Sequence, residues 1–307
     1  MFLSVIIPCY NCESNIMTLL RTLCGQLDHE NTEVILINDG SNDNTATIIE
    51  EFIYRKKLSN FYLFSYPNSG AANARTTGLK KARGDYIFFI DSDDSISDGF
   101  YAAVLDAAQL QPDMIYFSSS AFDVKDKGQL TSNKIKIESK KIYTVPSLFL
   151  NDMLLEGTWT CAVWSYVFRR EHAIDSCAYF TNRTAHEDLL FTLRMLGHAK
   201  TIYALDDLLY YQYESIGSLT RSAKTSDYIF ERINAYEESV NDISDLFATS
   251  VIRKYKQWSI DSIKSLIVNN KKLIPKLMFN VNIYVFFIRN ACYIFNLVLK
   301  KLSKDIH

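Results

Sequence analysis

The chain has 307 residues, 48% of them hydrophobic and 22% charged, with a formal net charge of −2. This is an ordinary globular composition in which disorder is not expected to dominate, and the lack of an overall basic field argues weakly against a nucleic-acid partner. The charge is unevenly placed: from Lys264 onward there are eight Lys and Arg and one acid, Asp305, so this end carries +7 and residues 1–263 carry −9.

Leu3 to Pro8 is a β-rich run stopped by Pro8, and Asn15 to Leu27 carries Ile16, Leu19, Leu20 and Leu23 at helical spacing. No signal peptide precedes Ser4, and six scattered cysteines (Cys9, Cys12, Cys24, Cys161, Cys177, Cys292) point to a reducing cytoplasm. Cys9 and Cys12 form a C-x-x-C without the second pair a zinc site needs, so two unrelated thiols in a strand-to-helix loop are expected rather than a redox pair. Glu33 to Ser41 repeats the strand grammar, with Ile48, Ile49, Phe52 and Ile53 marking the helix behind it. Asn60 to Tyr66 is a third strand, Gly70 to Ala82 a third helix, and Tyr86 to Ile90 a fourth strand. Strands alternating with helices at this pace predict an α/β sheet, mostly parallel.

The fourth strand is apolar without alternation, as expected where both faces are covered, and it runs straight into Asp91-Ser92-Asp93-Asp94. Parallel sheets bind ligands at the carboxyl ends of their strands. Carboxylates this close repel unless a proton or cation separates them. Mg²⁺ or Mn²⁺ is typically held by one or two carboxylates and completed by substrate phosphates, so the stretch reads as a metal-assisted diphosphate site. An acidic turn capping the next helix is the plainer alternative. Polar residues also gather at Tyr10-Asn11, Asn38-Asp39-Gly40-Ser41 and Asn68-Ser69-Gly70, on what would be one sheet edge. A nucleotide fits there: Asp39 would accept from a base N–H or a ribose hydroxyl, and the Gly70 helix start would offer free N–H groups to an anion. Each of these stretches is also good turn chemistry. Neither G-x-G-x-x-G after the first strand nor G-x-x-x-x-G-K-[ST] occurs, which removes the main support for dinucleotide and P-loop readings.

Ser4 to Asn11, Val34 to Thr45, Asn68 to Arg75, Gly78-Leu79 and Gly84-Asp85 to Asp93 resemble, in order and spacing, the successive signatures of glycosyltransferase family 2. The resemblance is dense over residues 3–100 and thinner afterwards. It implies a GT-A fold: a Rossmann-like, mostly parallel sheet flanked by helices, with a C-terminal helical appendage. The implied domain covers residues 1–220, with a nucleotide-sugar half (1–118) and an acceptor half (119–220), ahead of a helical region with a basic amphipathic tail (221–307). Donor contacts are implied at Pro8, Tyr10, Asn11, Asp39, Arg75, Asp91 and Ser92, with Asp39 on the base and Asp91 in the ribose region. Asp93 would hold the Mn²⁺ or Mg²⁺ that bridges the diphosphate of a UDP-sugar. Thr76 departs from the Asn that commonly follows Ala-Arg in the family.

Beyond residue 100 the pattern predicts a helix over Phe100 to Leu110, a strand over Asp113 to Phe117, a solvent-exposed excursion over residues 123–141 and a β-rich segment with core aromatics from Trp159 to Phe168. His186-Glu187-Asp188 leads into apolar residues at helical spacing, where acids ordinarily fill a first turn. The resemblance implies more, because a Glu-Asp pair at this distance after the D-x-D is similar to the motif carrying the catalytic base of inverting members. Asp188 is therefore the implied base and Glu187 its orienting neighbour, with His186 either a helix-capping bystander or a donor to the site. Asp188 would remove the acceptor hydroxyl proton as that oxygen attacks C1 opposite the diphosphate. A retaining hydrolase would instead want two carboxylates about 5–5.5 Å apart around a glycosidic bond.

Two other classes compete. A haloacid-dehalogenase-type phosphotransferase also places D-x-D after an apolar strand, but normally after its first; a non-catalytic nucleotide- or lectin-like binding protein would not need Asp93 and Asp188 together. The likeness extends to bacterial enzymes that build O-antigen or capsule units. It implies glucose or galactose added β-1,3 from UDP to a GlcNAc- or GalNAc-diphospho-undecaprenol acceptor, with a processive capsule or teichoic-acid-type transferase as the alternative.

Leu277 to Lys304 is strongly apolar, yet Asn282, Arg289 and Asn296 recur at sevenfold spacing and Lys300 continues the row. Arg289 in the middle of a membrane span would cost about 2.5–3.5 kcal/mol on insertion scales. The segment is therefore expected to lie flat on an anionic membrane surface, the cytoplasmic face of the inner membrane, with Lys271, Lys272, Lys276, Lys300, Lys301 and Lys304 toward lipid. Packing on the protein's own body or a homodimer seam are the alternatives.

Overall fold

The computed structural model describes residues 2–123, 129–214, 224–277 and 281–291. The chain divides into two compact units, Met1–Asn182 with Glu187–Ser222, and Arg183–His186 with Ala223–His307.

The first unit is built on a sheet whose strands are β1 (Leu3–Cys9), β2 (Thr32–Asp39), β3 (Phe61–Tyr66), β4 (Tyr86–Phe89), β5 (Ser95–Ile96), β6 (Met114–Asp123), β7 (Gln129–Ile135), β8 (Lys141–Tyr143), β9 (Tyr166–Arg169) and β10 (Ile202–Glu214). Their order is β3-β2-β1-β4-β9-β6-β10-β5, with β7 on β6 and β8 on β10. The first four strands pair in parallel. β9 enters antiparallel between β4 and β6, and β10 returns parallel to β6. Helices α1 (Ile16–Gln26), α2 (Thr45–Lys56), α3 (Ala71–Lys81) and α4 (Phe100–Ala108) follow the strands of the first half. Burial on both faces explains why β1, β2 and β4 read as continuous apolar runs rather than alternating ones. Gly78 lets α3 lie directly on β1, since a Cβ there would come within 2.3 Å of the Ile6 side chain. The strand order reverses between β1 and β4, which places the topological switch point at the ends of the strands that carry Pro8 to Asn11 and Asp91 to Asp93.

The second half departs from the sequence reading in two places. Gln129–Ile135, expected within a solvent-exposed excursion, is a strand paired antiparallel to β6, while residues 124–128 of that stretch lie outside the described residues. Its polar composition hides it, because main-chain pairing and not an apolar pattern defines it. The β-rich segment from Trp159 forms a strand only from Tyr166, after a 3-10 turn at Val163–Ser165, although its aromatics are core as expected: Trp159, Trp164, Tyr166 and Phe168 are all buried. Helices α5 (Pro146–Glu156), α6 (Arg170–Asp175) and α7 (Leu189–His198) complete this unit.

In the second unit α8 (Ser226–Asp242) and α9 (Thr249–Asn269) pack through Ile229, Ile233, Ile260 and Ile263. α10 (Ile274–Leu277) and α11 (Val281–Arg289) add Leu277, Ile283 and Phe286 to the same core. The described part of the expected interfacial helix thus has two faces. One is core, where Asn290 is buried and accepts a 2.8 Å hydrogen bond from the Tyr236 hydroxyl. The other leaves Tyr284, Phe287 and Ile288 47%, 37% and 74% exposed. Asn296, Lys300, Lys301 and Lys304 lie outside the described residues. Among the described residues no helix is long and apolar enough to cross a membrane.

Candidate active site

The loops at the carboxyl ends of β1 and β2 are stitched together by side chains that sequence reading had marked as ligands. Asn11, in the left-handed region at φ 48°, donates its N–H to Ser41 Oγ at 3.0 Å and accepts from Asn42 N at 2.8 Å through its side chain. Tyr10 beside it is 51% exposed, and Pro8 is partly buried on β1. At the end of β2 the Asp39 carboxylate accepts from Ser69 N and Gly70 N, each at 2.8 Å. The expectation that the Gly70 helix start offers these N–H groups to an external anion is therefore corrected: a neighbouring strand already supplies the anion. Gly40 is required here, because its φ of +69° is left-handed and a Cβ would meet the Asn68 nitrogen at 2.6 Å. Asp39, Tyr66, Pro67 and Asn73 border a cleft of about 400 Å³.

The centre of the site is Arg75, which α3 places 7% exposed between two stretches far apart in sequence. One Nη donates to Asp91 Oδ1 at 3.1 Å and the other forms a tight ion pair with Glu187, while Nε is buried without a hydrogen-bond partner among the described residues. Burial opposes its charge, but Asp91, Glu187 and Asp188 outweigh that and hold the guanidinium firmly protonated. Arg75 thus joins the end of β4 to the start of α7, so that Asp91, Glu187 and Asp188 gather around one cation. The departure at Thr76 leaves this contact undisturbed, since its hydroxyl turns back to the Ala72 carbonyl at 2.8 Å.

Burial and mutual repulsion set the proton affinities of the acids. Asp93 is pushed up to about 6, first by desolvation and then by Asp91. Asp94, expected only as the third acid of the run, is buried and pushed well above the carboxylate range by desolvation, Asp91 and Asp93. It accepts from the Tyr210 hydroxyl and from Tyr213 N, the latter at 2.9 Å. Tyr210 in turn stacks on Trp164, ring centroids 4.6 Å apart. Asp188 occupies the N-cap position of α7, yet its side chain makes no capping hydrogen bond and takes instead the Cys161 thiol at 3.5 Å. Desolvation and Glu187 push its carboxyl up to about 7, against the pull of Arg75. The acid thus stands at the start of α7, where a first-turn acid would, without a side-chain capping bond. His186 belongs to the second unit, where its ring lies 4.9 Å from that of Tyr228.

Asp94 and Tyr210 were missed because nothing local in Tyr210's strand singles it out; the signal available was the third aspartate itself, an acid too many for a simple turn. Among the described residues no group of three or more His, Cys, Asp or Glu side chains converges as a metal cage. Asp93, whose proton affinity is raised first by burial and then by Asp91, nevertheless fits an ion that draws its remaining ligands from phosphate oxygens, as Mg²⁺ and Mn²⁺ commonly do.

A parallel first half, a mixed second half and acids at the switch point define a fold of the GT-A type. Residues 4–175 match the family described as glycosyl transferase family 2. The chain belongs to this family. It is 31% identical over 222 residues to the uncharacterized glycosyltransferase EpsJ of Bacillus subtilis, covering 71% of this chain and 62% of that one. It is 29% identical to the uncharacterized glycosyltransferase YibD of Escherichia coli, covering 71% and 63%. These alignments span less than two thirds of either relative's length. The crystal structure of TarS residues 1–349 from S. aureus in complex with UDP-GlcNAc superposes with a TM-score of 0.65 at 27% identity, covering 78% of this chain and 67% of that one.

Proposed function

We propose that this protein is an inverting glycosyltransferase that moves a hexose from a UDP-sugar to a lipid-diphosphate-linked GlcNAc or GalNAc, with Asp188 as general base. The observation that carries the reading is Asp188 itself, an acid pushed up to about 7 by burial and Glu187, without a side-chain capping bond and next to the Glu187 that Arg75 ties to Asp91 of the D-x-D. A base must be deprotonated at the working pH yet basic enough to take a hydroxyl proton, and a carboxyl near 7 meets both demands. Arg75 keeps Glu187 in place and thereby orients the Asp188 main chain, while Asp91 and Asp93 face the donor. A divalent ion bound at Asp93 would supply neutralisation of charge on the departing diphosphate. Asp39, Tyr10 and Asn11 border the place for the uridine.

The UDP-GlcNAc and UDP complexes of the S. aureus neighbour support a UDP-sugar donor. The named sugars, a β-1,3 linkage, and a role in O-antigen or capsule assembly at the cytoplasmic face of the inner membrane are the finer parts of the proposal. The exposed apolar face of α11, with Lys271, Lys272 and Lys276 just before it, supports attachment to an anionic membrane surface. The test is a panel of UDP-sugars offered to a synthetic GlcNAc-diphosphate-lipid and read by mass. A product one hexose heavier, its inverted anomeric configuration read by NMR, is expected; intact donor and acceptor across the panel with Mn²⁺ and Mg²⁺ would refute it.

A further inference from the structure

The second unit contains a cationic cluster that the transfer chemistry leaves unused. Arg183 in it is matched, its two Nη atoms paired with Glu231 and Glu238. Arg232 on α8 is not. It is 5% exposed, its Nη1 is buried without a hydrogen-bond partner, and no carboxylate pairs with its guanidinium among the described residues. The guanidinium lies over the Trp258 ring at 5.8 Å, a contact that offsets only part of the loss of water. His186, at φ 62°, presents a second buried polar atom, Nε2, without a hydrogen-bond partner among the described residues. Its ring feels burial and then Arg232, Lys224 and Arg183, which together hold it neutral. Lys224 adds an ammonium 4.4 Å from the Tyr228 ring that also flanks His186.

Buried charges are ordinarily paired, and breaking this rule costs stability that an incoming anion would restore. A guanidinium fork matches two oxygens of a phosphate, an ammonium adds a point charge, and a neutral imidazole can accept or donate at a third oxygen. We propose that Arg232, with Lys224 and His186, forms a phosphate-binding site whose ligand is a phosphate or diphosphate group. One source is the diphosphate of the lipid-linked acceptor, in which case the site rests on the function proposed above; the other is free inorganic phosphate.

The full-length protein, with UDP and Mn²⁺ saturating the donor side, is titrated calorimetrically with a short-chain prenyl diphosphate-GlcNAc and, separately, with inorganic phosphate. Arg232→Met is expected to weaken binding by about tenfold or more, with Arg232→Lys recovering part of it. The unliganded Arg232→Met protein should melt no lower than wild type, because it no longer buries an unpaired charge; an ordinary structural arginine would give the opposite. Dependence on Arg232 for the prenyl compound alone identifies the acceptor as the source, and equal dependence for inorganic phosphate identifies the free anion. Wild-type binding of both probes by Arg232→Met overturns the proposal. If that variant does not fold, Arg232→Lys and His186→Gln are judged by the same criterion. UDP-sugar turnover in the same wild-type sample fails separately if the transferase reading is wrong, since phosphate binding does not depend on it.

Discussion

Asp188→Asn should abolish transfer while making the protein more stable, and the stabilisation should appear only above acid pH. The carboxyl titrates near 7 in the folded chain against an ordinary value of 3.8. At about 1.4 kcal/mol per tenfold change in proton affinity, that gap is an ionisation penalty on the order of 4 kcal/mol. The residue keeps part of its surface in contact with solvent, so about 2 kcal/mol is the expected size. The sign follows from linkage: between pH 4 and 7 the folded state holds a proton that the unfolded state has released, so wild-type stability falls as pH rises through this window and levels off above it. Asn carries no such penalty. Urea unfolding of both proteins at pH 4, 6 and 8 should show no difference at the lowest pH and a gain of about 2 kcal/mol for the variant at the highest. Donor binding should stay near wild type while kcat falls by about three orders of magnitude. A variant less stable than wild type at pH 8, or a gain independent of pH, would refute the reasoning.

Arg75→Met should cost about 3–5 kcal/mol in urea unfolding at neutral pH, since it strands Asp91 and Glu187 without their cation; a loss under 1 kcal/mol would show the bridge to be dispensable. Asp93→Ala, or chelation of the wild type, should lower turnover by several orders of magnitude, and full activity of that variant in excess EDTA would remove the D-x-D from the mechanism. Full-length protein should float with anionic liposomes at low salt. Ile288→Glu, at the most exposed of the apolar positions on α11, should stay at the bottom of the gradient; equal flotation of both proteins would place the contact elsewhere.

The strand–helix alternation of the first hundred residues was legible because each element there is fixed by local pattern. Leu3 to Cys9, Thr32 to Asp39 and Tyr86 to Phe89 each carry an unbroken apolar stretch and are buried along nearly their whole length, as strands covered on both faces are. β7 and β8 were not legible, since Gln129–Ile135 and Lys141–Tyr143 owe their strand state to main-chain pairing with β6 and β10. In the site, the residue types at the strand ends could be nominated, but their pairings could not. Arg75 and Glu187 are 112 positions apart, and no periodicity links them. Asp39 shows the converse: its position was clear, but the N–H groups expected to await a ligand are spent on its own carboxylate.

The two adjacent acids at the start of α7 have different chemistry open to them, and the reason lies in Arg75. Glu187 gives one carboxylate oxygen to the guanidinium, and its main-chain carbonyl accepts from Thr181 N at 3.1 Å. This carboxylate is thereby committed to a buried ion pair. Asp188 has no such tie. Its recorded side-chain donor is a thiol, a weak one, and its burial without a dedicated counter-ion makes the protonated form accessible near neutral pH. A base that must load a proton and release it again in each cycle needs both charge states within reach, whereas its neighbour needs only one. Where a cation holds one of two neighbouring carboxyls and leaves the other without such a tie, the proposed role of base falls to the second.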